Sequence, residues 1–379
     1  MSYFDFFCNI VKKDPLNNES IKGTCYQMCP QEETNLREHA GLVHLLEVSG
    51  PTRQLVKSYS RSAADSNMAI PRLLRPFSVL KQTIEHLLLS VTQRNDVSLA
   101  CLYDFLNNRL RAIRQDMTIQ RLPPDECIQL LEPMIRFHVY FGYRLSGCSI
   151  NEFDPVLNKK YLLECMKWFL YCCDILEGQT KSNKVDNDLS ELFSAWTLDK
   201  KPVQKLTCDK ILMESLYILC NLDDMHPLFR FLTLRPEIKS APLLRLAYEI
   251  AIANLKGNYV KVCRLSKNLC PLTFCAFNLY LPTLQRKALH IMSHGYSSKQ
   301  LTVPTEVVRR WLAFDSNADV ESTCQHYGLK ANGVVHFAKG AFRSDVELIK
   351  PKTQVKDKLK LSIEEILSYG VKSKTKPNC

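Results

Sequence analysis

A long succession of segments with helically spaced apolar residues is the feature that most constrains how this chain can fold. Between residues 77 and 92, for example, apolar side chains fall at positions 77, 80, 84, 87, 88 and 91, which is the spacing of one helical face. Glycine, which weakens helices, accounts for only 12 of the 379 residues. The pattern therefore predicts a chain built mainly from helices.

Such segments follow one another with short connections. Before residue 296, we predict helices at 30–48, 77–92, 97–115, 123–143, 157–177, 188–197, 209–222, 226–234, 241–256, 258–268 and 272–294. Two of them, around 161–176 and 243–255, are apolar on nearly every side, as expected for helices packed between other helices. The expected fold class is all-α, with stacked helical hairpins that form an α-solenoid similar to tetratricopeptide arrays.

The pattern changes after residue 296. A short strand at 301–304 leads into a helix at 305–314, a second helix runs from about 316 to 327, and residues 334–338 and 341–342 suggest a hairpin that turns at Lys339-Gly340. Strand, helix, helix and hairpin is the order of a small winged-helix module. We therefore expect four segments: a leader at 1–22, a helical scaffold at 23–295, a winged helix at 296–349 and a lysine-rich tail at 350–379.

The cysteines indicate the compartment. There are 16 of them, most inside apolar segments, and the first residues lack the features of a signal peptide. We interpret them as buried free thiols in a reducing compartment, the cytosol or the nucleus. No run of about 20 apolar residues is present, so no membrane span is expected.

Two cysteines near the N-terminus allow two interpretations. Cys25 and Cys29 are followed by His39 and His44, which is the order of a zinc site, but the gap of nine residues between the second cysteine and the first histidine is short for one. The alternative is a structural turn in which both thiols pack as small apolar groups and Pro30 opens the first helix. We favour the turn, and we predict no metal and no cofactor.

Catalytic signatures are missing from the sequence. It contains no glycine-rich dinucleotide loop, no phosphate-binding Gly-Lys-Ser/Thr loop and no Gly-x-Ser-x-Gly elbow. We therefore expect a protein that is not an enzyme.

The formal charge of +11 is distributed unevenly. Residues 53–121 hold eleven Lys/Arg and five Asp/Glu, and residues 350–379 hold eight Lys and three acids. Within the first segment, Arg109, Arg111 and Arg114 lie on a predicted helix and are candidates for contacts with phosphate. The alternative is that these arginines join adjacent helices through buried ion pairs.

Five motifs, in order, resemble the Sac-three/GANP family over about residues 20–345. The motifs are Gly23-Thr24-Cys25-x-x-Met28-Cys29-Pro30-x-x-Glu33, Val56-Lys57-x-Tyr59-x-Arg61-x-Ala63-Ala64, Leu74-Arg75-Pro76-x-x-Val79-Leu80-x-x-Thr83, Arg111-Ala112-Ile113-Arg114-Gln115-Asp116-x-Thr118-x-Gln120 and Ile135-Arg136-Phe137-His138. The resemblance implies a PCI-type helical scaffold that ends in a winged helix. It also implies a PCI-domain partner and a small acidic subunit, as in the TREX-two complex of nuclear mRNA export.

In this family, paired winged helices are thought to present a nucleic-acid surface. Here residues 301–330 hold three basic and four acidic side chains, and the helix expected to read a groove carries Asp319 and Glu321 but no cation. Protein pairing is the better interpretation for this module. Non-specific phosphate contact would come from Lys339, Arg343 and the lysine tail. The partner-interface candidates are the aromatic residues Trp311, Phe314, Tyr327 and Phe337.

Two functional hypotheses follow. The first is a non-enzymatic scaffold of nucleus and cytoplasm that docks a PCI partner and weakly binds RNA or single-stranded nucleic acid, without a membrane. The second rests on the chain's length, which resembles that of short Sac-three-domain proteins. It is a factor for centrosome duplication or spindle assembly in cell division, with centrosomal partners and without a direct RNA role.

Overall fold

The computed structural model describes residues 21–49, 52–60, 69–191, 208–350 and Leu367, with side chains left out at 49 and 179–191. Most of these residues are helical, which confirms the predicted all-α class. The chain divides into two compact units. We call them the N-terminal unit (Met1–Phe141, Ile150–Lys210 and Leu361–Cys379) and the C-terminal unit (Gly142–Ser149 and Ile211–Lys360). The predicted leader up to residue 20 and the predicted tail from 351, Leu367 apart, lie outside the described residues.

The regular elements of the N-terminal unit are consecutive helices and one small ribbon. They are α1 (Gln31–His39), β1 (Val48–Ser49), β2 (Thr52–Arg53), α2 (Phe77–Glu85), α3 (Leu99–Gln120), α4 (Pro124–Arg144, whose last residues belong to the other unit) and α5 (Pro155–Glu191). After α2 a π-turn and a 3-10 turn carry the helical path to Gln93, close to the predicted end. The helix predicted at 188–197 is the end of α5 as far as residue 191, and its remainder lies outside the described residues.

The first helix is shorter than predicted. We expected it to run to residue 48 with Leu42, Leu45 and Leu46 inward, but α1 ends at His39. Gly41 then takes a left-handed conformation at φ 65°, which turns the chain. Leu42 and Leu45 are 64% and 56% exposed, and only Leu46 is buried. The prediction was wrong because leucine spacing was taken for a buried helical face.

Aromatic side chains from α3, α4 and the start of α5 fill much of the N-terminal core. Tyr103 stacks on Phe137 with ring centroids 5.5 Å apart, and it meets the edge of Phe153 at 5.0 Å. All three side chains are at most 4% exposed. Long helices therefore share one apolar core in this unit, as the predicted packing of helices required.

The C-terminal unit continues with helices and closes with a small sheet. Its elements are α6 (Lys210–Cys220, whose first residue belongs to the other unit), α7 (His226–Thr233), α8 (Pro236–Lys239), α9 (Pro242–Leu255), α10 (Tyr259–Leu265), α11 (Pro271–Gly295), β3 (Val303–Pro304), α12 (Thr305–Leu312), α13 (Asn317–His326), β4 (Lys330–Asn332) and β5 (Val334–His336). Helix α9 contacts α7, α8 and α10, and α10 also contacts α11 and α12. The helices agree with the predicted ranges to within a few residues, except for the four-residue α8, which was not predicted.

The small sheet has the antiparallel order β3-β5-β4, with Val335 opposite both Val303 and Ala331. Its hairpin turns at Gly333, at φ 65°, and not at Lys339-Gly340 as predicted. Both helices fix this turn: the Gly333 carbonyl accepts from the backbone N–H and hydroxyl of Thr305 in α12, both at 3.0 Å, and the Gly333 N–H donates to Glu321 of α13. The predicted order of elements is present, with the hairpin placed earlier.

The core of the C-terminal sheet and helices also includes the end of α11. Ala288, Leu289 and Met292 pack with residues of α12, α13 and the strands in one buried cluster. On α11, the Gln285 side chain donates to the Leu312 carbonyl at 3.0 Å. The predicted boundary at 295–296 therefore falls inside a continuous core within this unit. We call residues 296–350 the C-terminal module.

The described cysteines are all free thiols, and most are buried. Burial raises the pKa of Cys263 and of Cys324 to about 12, so both are neutral at physiological pH. A separate finding concerns membranes: no helix within the described ranges combines the length and apolarity needed for a span.

A buried histidine in α4 should make stability depend on pH. His138 is 1% exposed, and its Nδ1 lies 2.8 Å from Asn158 Oδ1, which also accepts from the Tyr103 hydroxyl at 3.1 Å. Because Oδ1 can only accept, Nδ1 carries a proton in the neutral ring. Burial lowers the pKa of His138 to about 3, a direction that nearby Arg114 also favours, whereas the Asn158 hydrogen bond opposes it.

The folded state thus keeps His138 neutral while the unfolded chain takes up a proton as pH falls. We expect this group alone to lower the free energy of unfolding by about 1.4 kcal/mol per pH unit below its ordinary pKa of about 6.5. The measurement is urea unfolding at about pH 7.5 and 5.5, where His138→Gln should flatten the pH dependence by roughly that amount. His39→Gln, at an exposed position, should keep the wild-type slope. Equal slopes in wild type and His138→Gln would contradict the assignment.

Candidate functional site

Four of the signature motifs contribute to hydrogen bonds around one carboxylate, that of Asp116, which lies one turn before the end of α3. Its Oδ1 accepts from Lys57 Nζ at 2.6 Å and its Oδ2 from Arg75 Nε at 2.7 Å. Arg75 Nη1 donates in turn to the Met28 carbonyl at 3.2 Å. The Asp116 and Arg75 side chains are completely buried. Segments far apart in sequence are therefore joined by a single ion-pair network, which we call the Asp116 network.

Gln120, one turn after Asp116, attaches the beginning of the first motif. Its Oε1 accepts from the Gly23 N–H at 2.8 Å, and its Nε2 donates to the Arg75 carbonyl at 2.8 Å. A Cβ at Gly23 would lie only 2.3 Å from the Leu74 carbonyl oxygen. Glycine stands at this position because the backbone passes too close to the next segment for any side chain.

A second buried carboxylate, Glu47, was not predicted as a site residue. Its Oε1 accepts from Arg109 Nη2 at 3.1 Å and from the Val56 N–H at 3.0 Å, and its Oε2 pairs with Arg37. Burial raises the pKa of Glu47, but Arg109 and Arg37 with the Val56 hydrogen bond outweigh burial and lower it overall. The sequence held one signal: an acid between Leu46 and Val48, in an otherwise apolar run.

The three candidate arginines of α3 have partners inside the N-terminal unit. Arg109 is 7% exposed and pairs with Glu47. Arg114 is 4% exposed and donates to Glu164 of α5 at 2.6 Å.

Arg111 is half-buried, with its guanidinium carbon 3.8 Å from the centre of the Tyr59 ring and 4.9 Å from that of Tyr161. The ion pairs of Arg109 and Arg114 favour the alternative in which arginines join adjacent helices. Because both side chains are buried, neither offers its guanidinium group to phosphate.

The positive excess of residues 53–121 is thus largely used within the fold. Besides Lys57 and Arg75, carboxylates pair with Arg72, through Glu32 at 2.8 Å, and with Arg94. The positions of Arg61, Ala63 and Ala64 in the second motif lie outside the described residues. In this segment, the positive net charge therefore does not indicate a surface of available cations, because many of the cations are used in ion pairs.

The cysteines of the first motif are packed in the turn. Cys25 and Cys29 are 8% and 3% exposed, and Pro30, also buried, precedes the first residue of α1. The Cys25 thiol donates to the Gln27 carbonyl at 3.3 Å. Burial, with nearby Glu33, raises the pKa of Cys29 to about 11, so the free thiol is neutral at physiological pH.

The two histidines of the zinc alternative have other roles. His44 Nδ1 accepts from the Leu46 N–H at 3.1 Å and caps the short 3-10 turn, whereas His39 Nδ1 contacts the Asn35 carbonyl at 2.7 Å. No group of three or more His, Cys, Asp or Glu side chains is arranged as a metal site in the described part of the chain.

The four aromatic interface candidates divide into two pairs. Tyr327 and Phe337 are 1% exposed and belong to the core of the C-terminal module, so they present no surface to a partner as placed here. Trp311 and Phe314 are half-buried, with one side against the same core. Only this second pair is positioned for an interface.

The candidate cations Lys339 and Arg343 are exposed, and they follow the hairpin instead of forming its tip. The acids of α13 serve the module's own structure. Asp319 completes the capping box with Ser316, and Glu321 Oε1 accepts from the Gly333 N–H at 2.8 Å. Helix α13 carries no Lys or Arg. Our expectation that this helix binds poorly in a nucleic-acid groove stays a prediction.

Removing the charge of Asp116 should unfold the N-terminal unit more easily. Asp116→Asn leaves Arg75 fully buried and Lys57 nearly so without their anion, and we expect a loss of about 3–5 kcal/mol in the free energy of unfolding. Denaturant unfolding measures it. The control is Asp96→Asn, which breaks the exposed pair with Arg94 and should change stability little. Similar losses in both variants would contradict a central role for Asp116.

Comparisons with known proteins give one consistent result. The model of the SAC3/GANP family matches residues 28–333. Protein xmas of Drosophila melanogaster is 27% identical over 331 residues, covering 83% of this chain and 15% of its own length. SAC3 family protein B of Arabidopsis thaliana is 26% identical, covering 81% and 18%, and SAC3 family protein 1 of Schizosaccharomyces pombe is 24% identical, covering 85% and 32%.

The chain spans between about a seventh and a third of the length of these relatives. The matched region contains most of the motif residues that surround Asp116, namely Met28, Lys57, Arg75 and Gln120. Sequence motifs, their spatial convergence and the family match agree, and the chain belongs to the SAC3/GANP family.

Proposed function

We propose that this protein is a non-enzymatic scaffold subunit of an mRNA-export assembly of the TREX-two kind. The observation that carries the proposal is the convergence of the family's motifs on a buried, purely structural ion-pair network at Asp116. A network of this kind fixes the relative positions of chain segments and leaves no reactive group exposed. A scaffold requires motif residues that hold the fold in one shape, and it does not require motif residues that react.

Partner docking is assigned to the C-terminal module, which we propose is a winged helix. Phe314, at the end of α12, lines a cleft together with Leu281 and Pro282 of α11 and with Ile349. Half-buried aromatic residues beside a cleft are typical anchors of protein interfaces. We propose that a PCI-domain partner, joined by a small acidic subunit, packs against this edge of the module.

Substitution of the anchor should weaken capture of the partner. Phe314→Ser in the tagged full chain is expected to lower recovery of a copurifying PCI-domain protein by about tenfold or more. The control is Phe229→Ser on α7, which removes another aromatic ring, 61% exposed, and should leave recovery unchanged. If no PCI-domain protein copurifies with the wild type, the docking proposal is rejected. If both variants recover the partner equally, the cleft at Phe314 is rejected as the docking site.

Weak, non-specific binding of single-stranded nucleic acid is the second part of the proposal. Lys339 and Arg343 are exposed on the C-terminal module, and the tail adds further lysines. Lysine and arginine side chains that contact phosphates, and not the edges of bases, give affinity without sequence preference. The binding should therefore weaken steeply with salt.

The tail can be tested without truncation. Because Leu367 is only 3% exposed, deletion through it would also remove a buried side chain. Lys372→Gln, Lys374→Gln and Lys376→Gln together should make the plot of log affinity against log salt shallower by about 2 if each contacts a phosphate of a single strand. Fluorescence anisotropy with a labelled oligouridylate measures the slope, and an unchanged slope would remove these three lysines from the binding surface.

A further inference from the structure

A second feature of the charge pattern lies in the C-terminal unit. From residue 250 to residue 305 the sequence contains five lysines and two arginines but no aspartate or glutamate. This stretch covers the end of α9, all of α10 and α11, and the strand β3. Its cations cannot be neutralised by acids from the same stretch, so each needs a partner from elsewhere or remains available.

Helix α10 separates its apolar and cationic residues. Val262, Cys263 and Ser266 are at most 4% exposed. The exposed side carries Lys261, Arg264 and, in the 3-10 turn that follows, Lys267. With Lys256 just before the helix, they form what we call the α10 cationic face: Lys256, Lys261, Arg264 and Lys267.

Two of the three other cations in the acid-free stretch have partners, whereas the exposed Lys299 pairs with no carboxylate of the described residues. Lys287 pairs with Asp223 at 2.6 Å, and Arg286 donates to the Ser344 carbonyl. The four members of the α10 cationic face have no carboxylate within ion-pair distance among the described residues. Their charge is not used to hold the fold.

The backbone that presents the face is firmly held. Gly257, at φ 67°, turns the chain between α9 and α10, and the N–H groups of Gly257 and Asn258 donate to carbonyls of α9 at 2.9 Å. Asn258 caps α10 by accepting from the Lys261 N–H at 3.0 Å. Tyr259 packs against the core of the C-terminal module. The cations therefore project from a defined helix next to α12.

The composition of the face favours phosphate over an acidic protein surface. Its large apolar side chains are Leu255 and Val260, 57% and 45% exposed, and neither is aromatic or desolvated, whereas protein interfaces are centred on desolvated aromatic or apolar anchors. From Lys261 to Lys267 the cations extend about 9 Å along the axis at 1.5 Å per residue, which spans two to three phosphates at about 3.4 Å per nucleotide of a helical strand.

We propose that the α10 cationic face binds the phosphate backbone of single-stranded RNA. This rests on the proposed nucleic-acid binding and gives it a site apart from Lys339, Arg343 and the tail. The contact is independent of sequence, because lysine and arginine side chains meet phosphates, and the aromatic residue of this helix, Tyr259, packs against the core of the C-terminal module.

The test compares two triple variants of the full chain. Lys261→Gln, Arg264→Gln and Lys267→Gln together remove three positive charges from the face. Lys159→Gln, Lys160→Gln and Lys167→Gln remove the same charge from exposed positions of α5. Anisotropy of a labelled 20-nucleotide oligouridylate is measured over a range of salt. Glutamine preserves helix propensity, and thermal melting checks that both variants remain folded.

We expect the α10 variant to lose about tenfold to a hundredfold in affinity near 0.1 M salt and to show a salt slope shallower by about 2, since about 0.7 of a slope unit belongs to each single-strand phosphate contact. The α5 variant should bind like wild type. Unchanged binding by the α10 variant, alongside a loss in the tail variant, would reject this face and keep the proposed nucleic-acid contact.

Two further outcomes are informative. No binding by wild type would reject both the face and the proposed nucleic-acid contact, while the docking proposal would be judged by partner capture alone. Polyglutamate that displaces oligouridylate at equal charge concentration would identify the face as a site for acidic protein and overturn the inference. Displacement by RNA but not by polyglutamate supports it.

Discussion

The buried carboxylate of Asp116 is the interaction on which the N-terminal unit depends. Two cations, from Lys57 and Arg75, reach it from segments that have little regular structure of their own. Charges inside a protein are tolerated only when they are paired and hydrogen-bonded, so the chain has to bring these segments to α3 together. The network therefore selects one arrangement of the loops around the helix, which apolar packing alone would not specify.

The same constraint explains where the sequence predicted the fold and where it did not. Helical periodicity located most of the helices from α2 to α13, because buried faces of helices repeat at a fixed spacing, but it missed the short α8 and divided α5 into two predicted helices. It was wrong for the first helix, where Leu42 and Leu45 have the right spacing but are exposed. There the chain turns at Gly41, and the turn brings Glu47 into an ion pair with Arg37. An ion pair between two residues produces no periodic pattern in the sequence.

Site residues were predicted less well than helices for a related reason. Arginine side chains look alike in a sequence whether they meet Glu164 in the core, as Arg114 does, or solvent, as Arg343 does. Aromatic residues of the C-terminal module raised the same difficulty, since Phe337 is buried and Phe314 is not. Burial is decided by partners distant in sequence, so composition of a segment cannot assign it.

Counting charge by segment does not separate cations that are paired within the fold from cations that face solvent. The segment 53–121 is rich in cations, but carboxylates such as Asp116 and Glu47 occupy many of them. The stretch 250–305 does not stand out in a charge count by segment because acids flank it, although the cations of α10 pair with no carboxylate of the described residues. What matters for a polyanion is the cation left over after the fold has satisfied its own carboxylates. By that measure the N-terminal unit uses much of its positive charge for architecture, whereas the C-terminal unit presents cations that pair with no carboxylate of the described residues.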